Sequence, residues 1–276
     1  MNNTKVDECR LQWEEGKKEV FIVSSVADNP VKAMVRPGRQ FKEGAHHQIS
    51  DSCSLRVEQV LEDGLRVCRL DPVPTDPAWH PFFHTPFPPY IQPNEELAER
   101  YQTVYSSTPG SKAAPTAGLH FTPELLQQLR QQGISQTEVT LNVGLGTFAP
   151  VKTEDIHAHK MHAEYFSVSP QSLESIARAT HITAVGTTSC RTLESLTSTD
   201  LEPPLEPVSR ETSIFISPGY SWKRTNALLT NFHLPKSTLL MLLSAMVGMD
   251  EWRRIYNEAI REEYRFYSFG DAMLVL

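Results

Sequence analysis

The chain has 276 residues and a formal net charge of -7, with 39% hydrophobic and 21% charged residues. This apolar content suffices for a folded core, and the negative charge excludes binding to nucleic acid through a globally basic surface. No stretch reaches the roughly 18 uncharged apolar residues of a membrane-spanning helix, and no apolar segment typical of a secretory signal follows the N-terminus. We therefore expect a globular cytoplasmic protein of about two domains, at roughly 150 residues each.

The first seventy residues predict a small all-β unit. Short alternating or β-branched runs between turn residues indicate strands at residues 18–25, 31–35, 55–61 and 65–70. Such closely spaced strands favour a small antiparallel β-barrel or sandwich. The proline-rich stretch 71–93 is interpreted as an ordered connector, so residues 1–92 are expected to form the first domain.

Beyond residue 95 the hydrophobic period changes to that of helices. Thr122 is a predicted N-cap, with Pro123 in the first helical position and Gly133 after the last turn. Helices are predicted at residues 95–105, 123–132, 170–180, after Arg191, 236–247 and 250–263, and strands at residues 136–143, 181–185, 213–216 and 226–230. This alternation predicts an α/β domain over residues 93–276, with a mostly parallel sheet and helices on both faces. The acidic stretch 197–210 is interpreted as a surface loop.

Several polar clusters fall where such a sheet would bind a ligand, at the C-terminal ends of its strands. Small residues in segment 110–121 permit close backbone approach to a ligand, and His120 stands beside them; a structural loop would explain the glycines but not the histidine. Gly144 and Gly146 are weak evidence for nucleotide binding, since a β-bulge or tight turn explains such a pair more simply.

The histidines at positions 157, 159 and 162 precede Glu164. A metal site is disfavoured because no cysteine or further histidine cluster accompanies them, and the four cysteines of the chain form no C-x-x-C pair. A histidine and a carboxylate acting as general acid and base fit better. A solvated polar loop is the alternative.

Residues 186–191 and 230–235 each join a predicted strand to a helix. Free backbone N–H groups at a helix N-terminus suit an anion, and Arg191 would add a planar fork; a surface Arg191 is the alternative. A hydrolase pair of His233 and Ser237 is discounted because no G-x-S-x-G motif is present. Near the C-terminus, aromatic residues around Asp271 suit either base stacking or core packing.

Seven longer strings occur in the order in which one enzyme family carries them. The chain resembles the S-adenosylmethionine:tRNA ribosyltransferase-isomerases along essentially its whole length. The strings are YQTVY at 101–105, AAPTAGLHF at 113–121, GxGTF at 144–148, HxMHxE at 159–164, VGTTSxRTLES at 185–195, TNFHLPxSTL at 230–239 and YSFGDAM at 267–273.

The resemblance implies an enzyme of queuosine biosynthesis with an α/β catalytic domain and a six-stranded β-barrel. It implies transfer and isomerisation of the ribosyl group of S-adenosylmethionine onto 7-aminomethyl-7-deazaguanine in a tRNA anticodon, giving epoxyqueuosine, adenine and methionine. S-adenosylmethionine is then a consumed ribosyl donor, and no cofactor or metal is expected. We expect a monomer whose partners are this tRNA and S-adenosylmethionine, with no membrane.

The required chemistry needs a base for the C5' proton beside the sulfonium and an acid that assists adenine departure. The candidate catalytic residues are His120, His159, His162, Glu164 and His233, with no individual roles assigned. Gly186 to Arg191 are expected to hold either the methionine carboxylate or an RNA phosphate. The candidate substrate-binding residues are Ser111, Thr116, Gly118, Gly144, Gly146, Thr147, Thr187, Thr188, Arg191, Asn231, Tyr267 and Asp271.

Two departures from the family pattern leave an alternative open. Family members begin with a further segment before the barrel, so we expect the catalytic domain to be incomplete at its N-terminal side. Asn142 replaces a histidine of the family's LHVGxGTF string, and an asparagine cannot exchange a proton near neutral pH. The alternative is a shortened noncatalytic homologue that retains tRNA or protein binding.

Overall fold

The computed structural model describes residues 1–92, 95–144, 161–235 and 237–276. The chain forms two compact units, one of Val6–Ala98 and one of Met1–Lys5 together with Glu99–Leu276. The predicted division after residue 92 lies near this boundary, but the first five residues belong to the second unit. They do so because Asn3 N donates to Val139 O at 2.9 Å and Val139 N donates to Met1 O at 2.9 Å.

The elements are numbered in chain order. The strands are β1 (Thr4–Val6), β2 (Arg10–Trp13), β3 (Lys18–Ile22), β4 (Val31–Arg36), β5 (His46–Gln48), β6 (Ser54–Val60), β7 (Arg66–Asp71), β8 (Phe83–His84), β9 (Thr108–Ser111), β10 (Thr140–Leu141), β11 (Glu164–Val168), β12 (Thr183–Val185), β13 (Val208–Thr212), β14 (Ala227–Asn231) and β15 (Ala272–Val275). The α-helices are α1 (Glu95–Arg100), α2 (Pro123–Gln131), α3 (Pro170–Arg178), α4 (Thr187–Ser195), α5 (Thr238–Val247) and α6 (Met249–Arg261).

The unit of Val6–Ala98 is a curled antiparallel sheet, a half-barrel in the order β5-β6-β7-β4-β3-β2-β8. The four predicted strands are β3, β4, β6 and β7, whereas the short strands β2, β5 and β8 were not predicted. Alternate residues such as Val20 and Ile22 are fully buried. Trp79 from the connector is also fully buried, and its indole N–H donates to Pro72 O at 2.9 Å.

The second unit combines helices with small sheets, so the mixed α/β class is confirmed. The prediction of a mostly parallel sheet is wrong. β10, β11 and β13 form an antiparallel sheet, and in the sheet β12-β14-β15 only β12 and β14 run parallel. Helix and strand alternation predicts parallel crossovers, but here the strands on either side of α3, and those on either side of α4, lie in different sheets.

Helix boundaries differ from the predicted ones mainly at α1, which ends at Arg100 rather than at residue 105, and at α4. Helix α4 begins at Thr187 rather than after Arg191, and it is buried at every position except Ser195. The prediction of a strand over residues 213–216 is wrong as well. The observed strand, β13, ends at Thr212 and begins within the predicted surface loop 197–210. The start of α2 is confirmed, since the Thr122 side chain accepts a hydrogen bond from Leu125 N. Among the described helices, none is long and apolar enough to cross a membrane.

Candidate functional site

The C-terminal end of β14 brings three separate segments together. Gly186, which ends the junction after β12, donates its N–H to Leu229 O at 2.8 Å. On the other side, Asn231 pairs with Ala272 of β15. The 3₁₀ turn Thr116–His120 also reaches this edge, because Thr116 contacts Asn231. The parallel pair β12 and β14 therefore presents its ends to a common site, as parallel strands generally do.

A chain of side-chain hydrogen bonds crosses this site. Thr116 Oγ1 donates to Asn231 Oδ1 at 2.9 Å, and Asn231 Nδ2 lies 3.1 Å from His120 Nε2. Asn231 is 2% exposed, so its amide is held in one orientation. The buried amide thereby connects two residues that lie on the 3₁₀ turn.

His120 itself is exposed at the surface of the site. Partial burial lowers the pKa of His120 below its ordinary value, the negative charge of Asp271 acts in the opposite direction, and Arg265 lowers it further. Asp271 accepts hydrogen bonds from the Arg265 backbone and guanidinium, which hold the pKa of this carboxyl below its usual range. His120 thus faces a pre-arranged carboxylate and guanidinium pair.

His233 follows β14 directly. Its Nε2 lies 2.8 Å from Thr230 Oγ1, and its backbone N–H donates to Tyr256 Oη at 2.9 Å. Burial lowers the pKa of His233 to about 4. The imidazole is therefore neutral at pH 7, when it can accept a proton or a hydrogen bond but is a poor general acid.

The N-terminus of α4 lies beside the same turn. Gly186 has a φ of 86°, and a Cβ at this position would lie 3.7 Å from Ala117 Cβ. Thr187 and Thr188 are buried, and Thr188 Oγ1 accepts from Asn2 Nδ2 at 3.1 Å. Ser189 Oγ donates to Val185 O at 2.7 Å instead of capping the helix. This position suits an anionic group, because the first turn of a helix carries backbone donors without intrahelical partners.

Arg191, in the middle of α4, forms a buried ion pair with Glu164. Arg191 Nη1 donates to Glu164 Oε2, while Glu164 Oε1 accepts from Gly144 N at 3.1 Å. The predicted alternative of a surface Arg191 is wrong, since the residue is 5% exposed. His162, which is exposed, and Glu164 and Arg191 line a narrow cleft with Met161, Ile214, Ile216, Thr238, Leu239 and Leu242.

Other candidates have structural contacts. Ser111 Oγ donates to Ala113 O at 2.7 Å and accepts from Val143 N at 3.0 Å. Gly118 packs so closely that a Cβ would lie 2.1 Å from Tyr105 Oη. Tyr267 has a φ of 74° and donates its N–H to Phe232 O at 2.9 Å. Asn142 Oδ1 accepts from Thr4 Oγ1 at 2.9 Å.

Three candidates, Gly146, Thr147 and His159, lie outside the described residues, as does His157. Within the described ranges no group of three or more metal-ligating side chains occurs. Sequence reasoning missed Thr230, Tyr256 and Arg265, which contact His233 and Asp271. Thr230 begins the TNFHLPxSTL string and Arg265 lies two residues before YSFGDAM, but no sequence signal links Tyr256, in the middle of α6, to His233.

Comparison with known proteins extends over the whole chain. A family model described as "Queuosine biosynthesis protein" matches residues 1–275. An S-adenosylmethionine:tRNA ribosyltransferase-isomerase of Clostridioides difficile is 43% identical over 286 residues, which covers 100% of this chain and 83% of the relative. An enzyme of the same name from Thermotoga petrophila is 44% identical over 283 residues, with the same coverage. Among solved structures, the S-adenosylmethionine tRNA ribosyltransferase of Thermotoga maritima is 32% identical to this chain, with a TM-score of 0.48. The alignment covers 100% of this chain and 80% of the Thermotoga maritima chain.

Proposed function

The chain belongs to the queuosine biosynthesis protein family, and we propose from this membership that it is an S-adenosylmethionine:tRNA ribosyltransferase-isomerase. The observation that carries the proposal is the full-length match to the family and to enzymes of this name at 43–44% identity. The polar cluster at the end of β14 supports it, because it supplies proton acceptors and hydrogen-bond donors suited to a nucleoside.

In the proposed reaction, S-adenosylmethionine loses both adenine and methionine. The C5' proton is removed, and the bonds from the sugar to the adenine nitrogen and to the sulfonium sulfur break; adenine leaves protonated and methionine leaves as the neutral thioether. The aminomethyl nitrogen of 7-aminomethyl-7-deazaguanine in tRNA loses a proton and bonds to a sugar carbon, while a new carbon–carbon bond closes the five sugar carbons into a ring that keeps the sugar ring oxygen as the epoxide. The ribosyl donor is consumed, so the proposal includes no separate cofactor and no metal. We extend it to a monomer acting in the cytoplasm, where its tRNA substrate is found.

The histidines are the proposed proton-transfer groups. His233 is neutral at pH 7 and suited to act as a base, and burial similarly favours the neutral form of His120. His162 and His159 remain candidates for the acid. Both carboxylate oxygens of Glu164 are engaged, by Arg191 and by Gly144 N, and we therefore propose that Glu164 positions Arg191 rather than moving a proton.

The remaining candidates are proposed to bind substrate. Asn231 contacts His120, Thr116 contacts Asn231, and the charge of Asp271 acts on His120. We propose that these three side chains contact the nucleoside part of S-adenosylmethionine. The N-terminus of α4, at Thr187 and Thr188, is proposed to face an anionic group. Tyr267 and Gly118 shape the edge of this site.

The test is adenine release by the purified chain, given S-adenosylmethionine and tRNA bearing 7-aminomethyl-7-deazaguanine, with epoxyqueuosine measured by nucleoside mass. Adenine appearing in step with the modified nucleoside would establish the activity. His162→Ala or His233→Ala should depress turnover far more than tRNA binding, while His181→Ala, an exposed histidine before β12, should leave both unchanged. Binding of tRNA without either product would favour the noncatalytic homologue.

A further inference from the structure

Arg191 is a buried cation with only part of its donor set in use. Its side chain is 7% exposed. Nη1 donates to Glu164, but Nε and Nη2 have no hydrogen-bond partner in the described part of the chain. Buried donors of a charged group are costly to leave unpaired, and native proteins leave few of them so. The unpaired donors therefore indicate a missing acceptor.

The two unpaired donors lie on one edge of the guanidinium. Nε–H and the neighbouring Nη2–H point in the same direction and together match the two oxygens of a carboxylate. Glu164 takes only the remaining nitrogen, Nη1, and its other oxygen is engaged by Gly144 N. The ion pair thus fixes the guanidinium while leaving a complete two-donor edge for another acceptor.

The cleft beside Arg191 restricts what this acceptor can be. Its described walls are mainly apolar, formed by Ile214, Ile216, Leu239 and Leu242. The enclosed part of the cleft is about 20 Å³, which is room for a carboxylate group, and the cleft opens to solvent beyond it. The apolar walls suit an aliphatic chain that ends in a carboxylate better than they suit a charged phosphodiester with a ribose on each side.

Arg191 lies on the helix whose N-terminus adjoins the cluster at the end of β14. It is four residues after Thr187, so the two share one face of α4 and are about 6 Å apart along its axis. Thr187 begins the helix whose preceding residue, Gly186, packs near the turn that carries His120. Helix α4 therefore connects the cluster at the end of β14 to the cleft that contains Arg191.

We propose that the Nε and Nη2 edge of Arg191 binds the carboxylate of the methionine part of S-adenosylmethionine, with the aliphatic chain against the apolar walls of the cleft. This inference rests on the proposed function and assigns one end of its donor substrate. Glu164 is then a positioning residue for Arg191.

Two competitors that differ only in the carboxylate provide the test. S-adenosylhomocysteine carries it, and 5'-(3-aminopropyl)thioadenosine lacks it. We expect the wild type to bind the first at least tenfold more tightly, measured as Ki in the adenine-release assay. Arg191→Lys keeps the charge but loses the two-donor edge, so it should raise the KM for S-adenosylmethionine and the Ki of S-adenosylhomocysteine by about 10- to 100-fold. The Ki of the decarboxylated competitor should stay within twofold.

Arg178→Lys is the matched control, because Arg178 is exposed on α3, pairs with Glu174 and does not line the cleft; it should change neither Ki. The inference is overturned if the wild type binds both competitors equally, if Arg191→Lys weakens both alike, or if the variant weakens tRNA binding instead. Calorimetric titration of both competitors in the presence of tRNA needs no turnover. A wild type that discriminates between them but releases no adenine would refute the proposed function alone.

Discussion

Asn231 Nδ2 lies 3.1 Å from His120 Nε2, while the opposite atom of the same amide, Oδ1, accepts a hydrogen bond from Thr116 at 2.9 Å. The amide nitrogen must therefore donate toward His120. His120 Nε2 is then an acceptor, and the neutral ring carries its proton on Nδ1.

Asn231→Asp should reverse this arrangement. A carboxylate cannot donate, so it would favour the protonated imidazole and raise the pKa of His120 above 6.5 instead of below it. We expect adenine release to fall at least tenfold. Nuclear magnetic resonance titration of the His120 ring would measure the pKa. The control is Asn226→Asp, just before β14, which keeps the oxygen that accepts from Ile182 N. It should change neither the His120 pKa nor the rate of adenine release. An unchanged His120 pKa in Asn231→Asp would contradict the assignment of His120 Nε2 as an acceptor.

His233 should make the protein less stable in acid. Its pKa is about 4 in the folded chain and near 6.5 when unfolded. The unfolded state therefore binds the extra proton first, and stability is lost as the pH falls from about 6.5 to about 4. The loss is about 3 kcal/mol in total. Urea unfolding at pH 7 and pH 4 would measure it. In His233→Gln the loss of unfolding free energy between pH 7 and pH 4 should be about 3 kcal/mol smaller than in the wild type. Equal losses in both proteins would refute a buried neutral His233.

Gly118 should not tolerate a side chain. A Cβ there would lie 2.1 Å from Tyr105 Oη and 2.7 Å from Thr103 Cγ2. Gly118→Ala is therefore expected to cost about 1–3 kcal/mol in unfolding free energy and to shift the turn that carries His120. Tyr105→Phe removes the nearest atom, and the Tyr105 hydroxyl has no hydrogen-bond partner among the described residues. The double variant should recover part of the loss in thermal unfolding; additive losses would show that the clash is not the cause.

Glu194 should be a stability determinant outside the site. Its buried carboxylate accepts four hydrogen bonds, from Tyr220 Oη at 3.0 Å, Lys223 N at 2.9 Å, Arg224 N at 3.1 Å and Thr225 N at 2.8 Å. Glu194→Gln turns one acceptor into a donor that faces other donors, at an expected cost of about 2–4 kcal/mol. Glu174→Gln removes an exposed pair with Arg178 and should cost less than about 0.5 kcal/mol. Chemical denaturation of both variants would compare them.

Local patterns predict an element well when the residues that decide it are neighbours in the chain. Thr122 and Pro123 begin α2 as expected, because an N-cap acts on backbone donors two or three residues away. The alternating pattern of β3, β4, β6 and β7 also predicts their strands, since one side of each is buried. The two-residue strand β8 escapes such reasoning because it is too short to show a period.

The sequence by itself determined the family, the helices and longer strands, and a set of candidate polar residues, all of which depend on residue order or on near neighbours. Only the tertiary structure decided that most described strand pairs of the second unit are antiparallel, that Asn231 contacts His120 and Thr116, and that Arg191 is buried against Glu164. These contacts join residues 27 to 115 positions apart. Their formation depends on which apolar surfaces pack together across the whole unit, and local sequence patterns do not predict that packing.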